Sequence, residues 1–413
     1  MWRRIGKWLA IAGVVIVCCV GIAMKMGGQW NVGIHWNNGE SNGFDKGILV
    51  ADDKGKGHPQ GTNLTELERR RQEEQERERA AIERVLDTMT AEQKLAQCMI
   101  LTNEKDITAE NLQRYQPGGV IFFGVDFQGK TLEQVRTRVE SLQQCMSIPL
   151  FVGVDEEGGE INRVKGLIGE EIPVFESARL LYTKGKAKII EDTEQKTELL
   201  QRMGINLNFN PVADVVTDPD AYMYDRSAGD DPGKVADYVE TVIAVMKDRT
   251  MGSCLKHFPG YGNNRNTHTT FATDHKSLVA YRKQDFLPYE AGIAAGAEMI
   301  MVSHITMECV DENNPASLSL AVHSLLREEL SFDGVILADD LNMQAILKKM
   351  SLEEATGKAL AAGNDMIFSA DFGASMKGAT DALQKGEITE EELNAAVRRI
   401  LRYKLHLRLI EME

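Results

Sequence analysis

From Val85 onward the chain repeats one pattern: a short apolar run, then a longer amphipathic stretch. The runs occupy 97–101, 119–123, 150–154, 206–210, 253–257, 299–303, 334–339 and 365–369. Helix-like stretches lie between them, among them 132–145, 233–249, 283–295 and 351–362. Strands covered on both faces read as continuous apolar runs, and repeated strand–helix units require a parallel sheet. Eight units predict an α/β barrel rather than an open doubly wound sheet. Gly158 and Gly159 lack the spacing of a dinucleotide-binding turn.

The length of 413 residues permits more than one domain, but a barrel uses ~250 residues or more as one unit. A net charge of −15 argues against a nucleic-acid partner, whose phosphates such a surface repels. Aromatic residues are only 6%, too few for a base-stacking platform. Cys98, Cys145, Cys254 and Cys309 are too widely spaced for a zinc site or a disulfide scaffold. Cys98 and Cys254 read as core residues. No metal or cofactor is called for.

Arg3, Arg4 and Lys7 precede an apolar run from Trp8 to Met24, close to the ~20 residues that cross a bilayer. Basic residues on that flank favour a cytoplasmic amino terminus and an external remainder. No small-residue cleavage site follows, and Val17 stands where a lipoprotein signal has a small residue before its cysteine. Residues 1–25 are thus expected to be an uncleaved transmembrane anchor. The Gly-, Asn- and Lys-rich segment 26–62 reads as a flexible linker. Residues 63–84, mostly Glu, Arg and Gln, read as a solvated helical spacer, and 85–413 as the barrel. A monomer is expected.

Several predicted strands end in polar residues: Asp155, Asn210, His257, His304 and Asp339. Barrel enzymes build their sites at these carboxyl ends. Asp339 follows Val335-Ile336-Leu337-Ala338, where a carboxylate can attack an anomeric carbon. The competing role, capping a helix near Leu341, suits Asp340 better. Lys256 and His257 precede a Pro259-Gly260 turn and suit hydrogen bonds to hydroxyl groups. Asp155, Arg163 and Arg226 fit bidentate recognition of vicinal hydroxyls, whereas Asp214 and Asp225 read as structural ion-pair partners. His268 could serve as a proton donor, but taken alone it reads rather as an ordinary surface histidine.

Taken together, five motifs in order resemble glycoside hydrolase family 3: Asp155-x-Glu157-Gly158-Gly159, Asn208-x-Asn210-Pro211-Val212-x-Asp214, Asp225-Arg226-Ser227, Lys256-His257-Phe258-Pro259-Gly260-x-Gly262 and Asp339-Asp340-Leu341-x-Met343. The chain is most similar to the single-domain β-N-acetylglucosaminidase branch, from Val85 to its end. The resemblance implies a TIM-like (β/α)8 barrel and retaining hydrolysis of terminal β-linked N-acetylglucosamine from a glycan. It implies that Asp339 is the nucleophile and His268, on a loop, the acid and base. Asp155, Arg163, Arg226, Lys256 and His257 fall where the family binds the sugar.

Two positions depart from that pattern. Tyr261 replaces a histidine, and Asn266 replaces the aspartate that pairs with the catalytic histidine two residues on. Asparagine can orient His268 but supplies no charge. Asp274 is a candidate substitute if the loop folds back. A glycoside phosphorylase and a carbohydrate-binding protein with weak turnover are the alternatives.

Overall fold

The computed structural model describes residues 64–412. The expected anchor at 1–25 and linker at 26–62 lie outside the described residues. Among the described residues no helix is long and apolar enough to cross a membrane.

The chain divides into two compact units, Met1–Arg70 and Arg71–Glu413. Within the first, the described residues open a helix, Leu64–Thr88, where Glu66 pairs with Arg69 and Arg70 at 2.8 and 3.0 Å. This is the helical spacing expected of the charged segment. Within the second unit the same helix continues beyond Arg84, and one face of its last turns is packed rather than solvated. Ala81, Ile82 and Leu86 are buried, and Glu83 is held by Arg398 through two hydrogen bonds of 2.6 and 3.0 Å.

Eleven strands follow: β1 Met99–Leu101, β2 Gly119–Phe122, β3 Phe151–Val154, β4 Leu207–Asn208, β5 Gly252–Ser253, β6 Leu255–Phe258, β7 Ala272–Asp274, β8 Met299–Val302, β9 Ile305–Met307, β10 Val335–Ala338 and β11 Met366–Ser369. Nine form one parallel sheet in the order β5-β4-β3-β2-β1-β11-β10-β8-β6. Its two outer strands, β5 and β6, are pieces of one segment interrupted at Cys254. The Cys254 and Lys256 N–H groups donate to the carbonyls of Asn210 and Pro211, at 3.1 and 3.2 Å, and tie that segment to the chain leaving β4. The sheet therefore curls into a barrel whose strand positions match the eight apolar runs. Buried residues lie on both strand faces, successive ones such as Val120 and Ile121 in β2 and Phe151 and Val152 in β3, as a barrel clothed in helices requires.

The helices carry their own start signals. Thr90 with Gln93, Thr131 with Gln134 and Thr389 with Glu392 form capping boxes, and Asp231 caps a helix whose first residue is Pro232. The stretch expected at 283–295 is two helices, Leu278–Lys283 and Phe286–Ala295. The helix expected near Leu341 starts only at Gln344. Asp340 does not cap it: its Oδ1 accepts from the backbone N–H and side-chain amide of Asn342, both at 2.9 Å.

Gly153 keeps the barrel interior open to an aromatic ring. A Cβ there would lie 2.5 Å from the ring of Phe209, which packs edge-on against Phe368 at 5.2 Å. That layer floors the carboxyl end of the barrel.

Candidate active site

A cavity of about 150 Å³ opens at the carboxyl ends of the strands. Of the residues expected to act there, Asp155, Arg163, Arg226, Lys256, His257, His268 and Asp339 all line it. Asp155 and Glu157 follow β3, Lys256 and His257 stand within β6, and Asp339 follows β10. The Lys256–His257, Asn210–Pro211 and Phe258–Pro259 peptides are cis. A larger cleft, about 1060 Å³, lies at the opposite end, around Ser253, Glu298 and Gly334. It gathers none of these residues.

Lys256 and Glu157, both buried, form a charge-balanced cluster with the half-buried Asp155 and Arg226. Lys256 Nζ lies 2.6 Å from Asp155 Oδ1 and 2.7 Å from Glu157 Oε1. Arg226 grips Glu157 with Nε at 2.8 Å and Nη2 at 2.7 Å. Burial would push the Glu157 carboxyl up, but the charges of Arg226 and Lys256 hold it well below its usual range. Burial likewise opposes charge on Lys256, and Asp155 and Glu157 overcome it and raise its pKa. Such charges survive burial because each is paired and hydrogen-bonded. Arg163 stands further off, with Nη2 4.0 Å from Asp155 Oδ2.

Asp214 is tied to the site rather than to a remote ion pair. Its Oδ2 lies 2.9 Å from His257 Nδ1, and its Oδ1 accepts from the Tyr261 N–H. A carboxylate only accepts, so Nδ1 of His257 carries the hydrogen and Nε2 is left toward Arg226, 3.5 Å away. Sequence reasoning missed this pair because nothing local links positions 214 and 257. The signal was a carboxylate embedded in an apolar run, between Ala213 and Val215.

Asp339 is held by its neighbours. Its Oδ1 accepts from the Asp340 N–H at 2.8 Å, and the Asp340 carbonyl accepts from His304 Nε2 at 2.8 Å. Burial alone would raise its pKa, but the charges of His304, His257 and His268 and the Asp340 N–H lower it. It stays ionised, the form in which a carboxylate can attack an electrophilic carbon.

His268 lies on the loop between β6 and β7. Asn266 Oδ1 accepts from its backbone N–H at 2.9 Å and faces Nδ1 at 2.8 Å, so Nδ1–H donates and Nε2 is free. His268 is exposed on its outer side, and partial desolvation at the cavity mouth lowers its pKa, which the charge of Asp339 only partly offsets. Asp274 does not replace the missing carboxylate: it accepts from Asn264 Nδ2 at 2.7 Å and from the Lys276 N–H at 2.8 Å. Tyr222 packs edge-on against His268 at 6.2 Å.

The model of the glycosyl hydrolase family 3 N-terminal domain matches residues 90–403. The β-hexosaminidase LpqI of Mycobacterium tuberculosis is 31% identical over 268 residues, covering 62% of this chain and 68% of that one. A β-hexosaminidase of Xanthomonas campestris pv. campestris is 29% identical over 261 residues, covering 62% and 78%. Among solved structures, a family 3 β-N-acetylglucosaminidase from Paenibacillus sp. superimposes with a TM-score of 0.74 at 26% identity. That match covers 78% of this chain and 63% of the Paenibacillus one.

Proposed function

The chain belongs to glycosyl hydrolase family 3, and on that premise we propose that it is a retaining β-N-acetylhexosaminidase acting on terminal N-acetylglucosamine. The observation that carries this reading is the meeting of Asp339 and His268 on one cavity floored by paired Asp155, Glu157, Arg226 and Lys256. The cavity suits one sugar ring, and its polar groups are donors and acceptors aimed at hydroxyls.

In this reaction Asp339 attacks the anomeric carbon while His268, protonated, gives its proton to the departing glycosidic oxygen. A glycosyl–aspartate ester results. His268, now neutral, takes a proton from water, which opens the ester and restores both groups. Asn266 keeps the imidazole in the tautomer whose Nε2 does this work. Asp214 does the same for His257, which faces the sugar.

Trapping with a fluorinated N-acetylglucosaminide analogue followed by peptide mapping tests the assignment. Label on Asp339 is expected; label on any other carboxylate sinks it.

One observation favours a second reading. The partner of His268 is a neutral amide rather than a carboxylate, so phosphate meets less repulsion beside it than a carboxylate would impose. Release of sugar 1-phosphate in phosphate buffer would identify a phosphorylase, and free sugar a hydrolase. The apolar run 8–24 with its basic flank supports a membrane-anchored enzyme with an external barrel. Protection of the barrel from protease on intact cells would refute that placement.

A further inference from the structure

Tyr261 occupies a position where the resemblance leads one to expect histidine, and its phenol is engaged in a specific way. The ring is 2% exposed, and Thr267, next to His268, is fully buried. The Thr267 N–H donates to the phenol oxygen at 2.7 Å, and the Thr267 hydroxyl lies 2.6 Å from it. One phenol therefore binds the backbone N–H and the hydroxyl of a single residue six positions further along the chain.

The anchoring end is equally firm. The Tyr261 N–H donates to Asp214, whose other oxygen holds His257. Gly260, at φ 125°, turns the chain where a Cβ would meet the Asp285 carboxylate at 2.6 Å. On the far side, the loop touches the segment that follows Asp339. Thr267 Oγ1 lies 3.7 Å from Met343 Sδ, Lys348 Nζ donates to the Thr269 carbonyl at 3.3 Å, and Lys349 sits 4.8 Å over the Phe271 ring. These outer contacts are long or exposed, so the buried phenol–threonine pair is the strong one.

We infer that Tyr261 is a positioning residue for His268: its phenol latches the loop through Thr267 and so holds the imidazole over the cavity. The inference rests on the reading of His268 as acid and base. Asn266 orients the ring on its own backbone but cannot fix where that stretch of backbone sits. Tyr261 supplies that second constraint from the turn just beyond β6. A histidine at 261 is shorter than tyrosine, and this bridge to Thr267 is matched to the longer side chain.

The test uses the full chain and two aryl β-N-acetylglucosaminides, one with a dinitrophenyl and one with a phenyl leaving group. The first leaves without a proton; the second needs one. Tyr261→Phe keeps the ring and deletes only the hydroxyl. It is expected to lower kcat/KM for the phenyl substrate by about tenfold or more while leaving the dinitrophenyl value within about twofold. Retained turnover of the dinitrophenyl substrate also reports an intact fold. Thr267→Val, which keeps the N–H donor, should fall between the parent and Tyr261→Phe. His268→Ala should show the same leaving-group pattern, more strongly. Equal losses on both substrates in Tyr261→Phe, or no loss on either, overturn the latch while the His268 reading stands. Absence of leaving-group dependence in His268→Ala overturns that reading and the latch with it.

Discussion

Asn266 Oδ1 accepts from both the backbone N–H and the ring Nδ1 of His268, at 2.9 and 2.8 Å. One side-chain oxygen thus sets the orientation and tautomer of the imidazole without adding charge. Orientation and proton affinity, which a carboxylate would supply together, are separated at this site.

The pH profile should carry that separation. As acid, His268 must be protonated, and partial desolvation at the cavity mouth lowers its pKa from the ordinary 6.5. The kcat/KM for a phenyl leaving group should therefore decline as pH rises through a value below 6.5. Asn266→Asp places an anion on Nδ1 and should move this alkaline limb upward by about one pH unit or more. An unmoved limb in the variant would mean that residue 266 does not govern the proton on His268.

Replacing Asp214 by Asn should damage sugar binding from a distance. An amide can accept from His257 Nδ1 or from the Tyr261 N–H, but its nitrogen then opposes the other donor. A loss in kcat/KM of about tenfold to hundredfold is expected on both substrates, larger for the phenyl than for the dinitrophenyl leaving group because the anchor of Tyr261 loosens with it. Steady-state kinetics within a factor of about two of the parent would show that Asp214 is a spectator.

Lys256→Met should be costly for the fold itself. It leaves Asp155 without its closest cation and Glu157 with Arg226 alone, in a site where Lys256 and Glu157 are almost fully buried. Breaking a buried pair in this way costs roughly 3–5 kcal/mol. The loss should shrink under acid conditions, because a stranded carboxylate with a raised pKa can take up a proton. Denaturant unfolding at two pH values checks both parts; a variant as stable as the parent at pH 7 contradicts the prediction.

Glu156 offers a stability test apart from activity. Its Oε2 accepts from the Arg163 and Val164 N–H groups at 2.7 and 3.1 Å, Oε1 has no partner, and burial pushes its pKa to about 7. Between its unfolded value, near 4.5, and 7, the folded protein binds the extra proton, so this residue's contribution to stability falls as pH rises. Glu156→Gln removes that penalty and should gain up to roughly 3 kcal/mol over the parent above pH 7, with little gain near pH 4. A pH-independent difference between the two proteins would contradict this.

The fold was legible because its strands are short, parallel and buried on both faces. Runs such as Val335-Ile336-Leu337-Ala338 carry no polar residue until the strand ends, so Asp339 announces both the boundary and the site. Helix limits were less legible: Asp340 folds onto Asn342 instead of capping, and the chain takes two helices where one was expected around residue 284. Turn chemistry at those points competes with apolar spacing, and spacing alone does not rank them.

For the site, the order of residues along the chain already marks which chemistries stand at strand ends: Asp155, Lys256, His257 and Asp339 follow from apolar runs that stop. It also marked Asn266 as a neutral residue beside the histidine. The partners of these groups exist only in the folded barrel. Lys256 meets Asp155 and Glu157 across 101 and 99 residues of chain, and Asp214 faces His257 instead of a remote cation. The physical reason is range. A strand's polarity pattern is set by residues one or two positions apart, whereas a hydrogen bond between loops exists only once barrel closure has brought their strands side by side. Tyr261 shows both halves: its identity was a visible departure, and its hold on Thr267 was visible only in the folded loop.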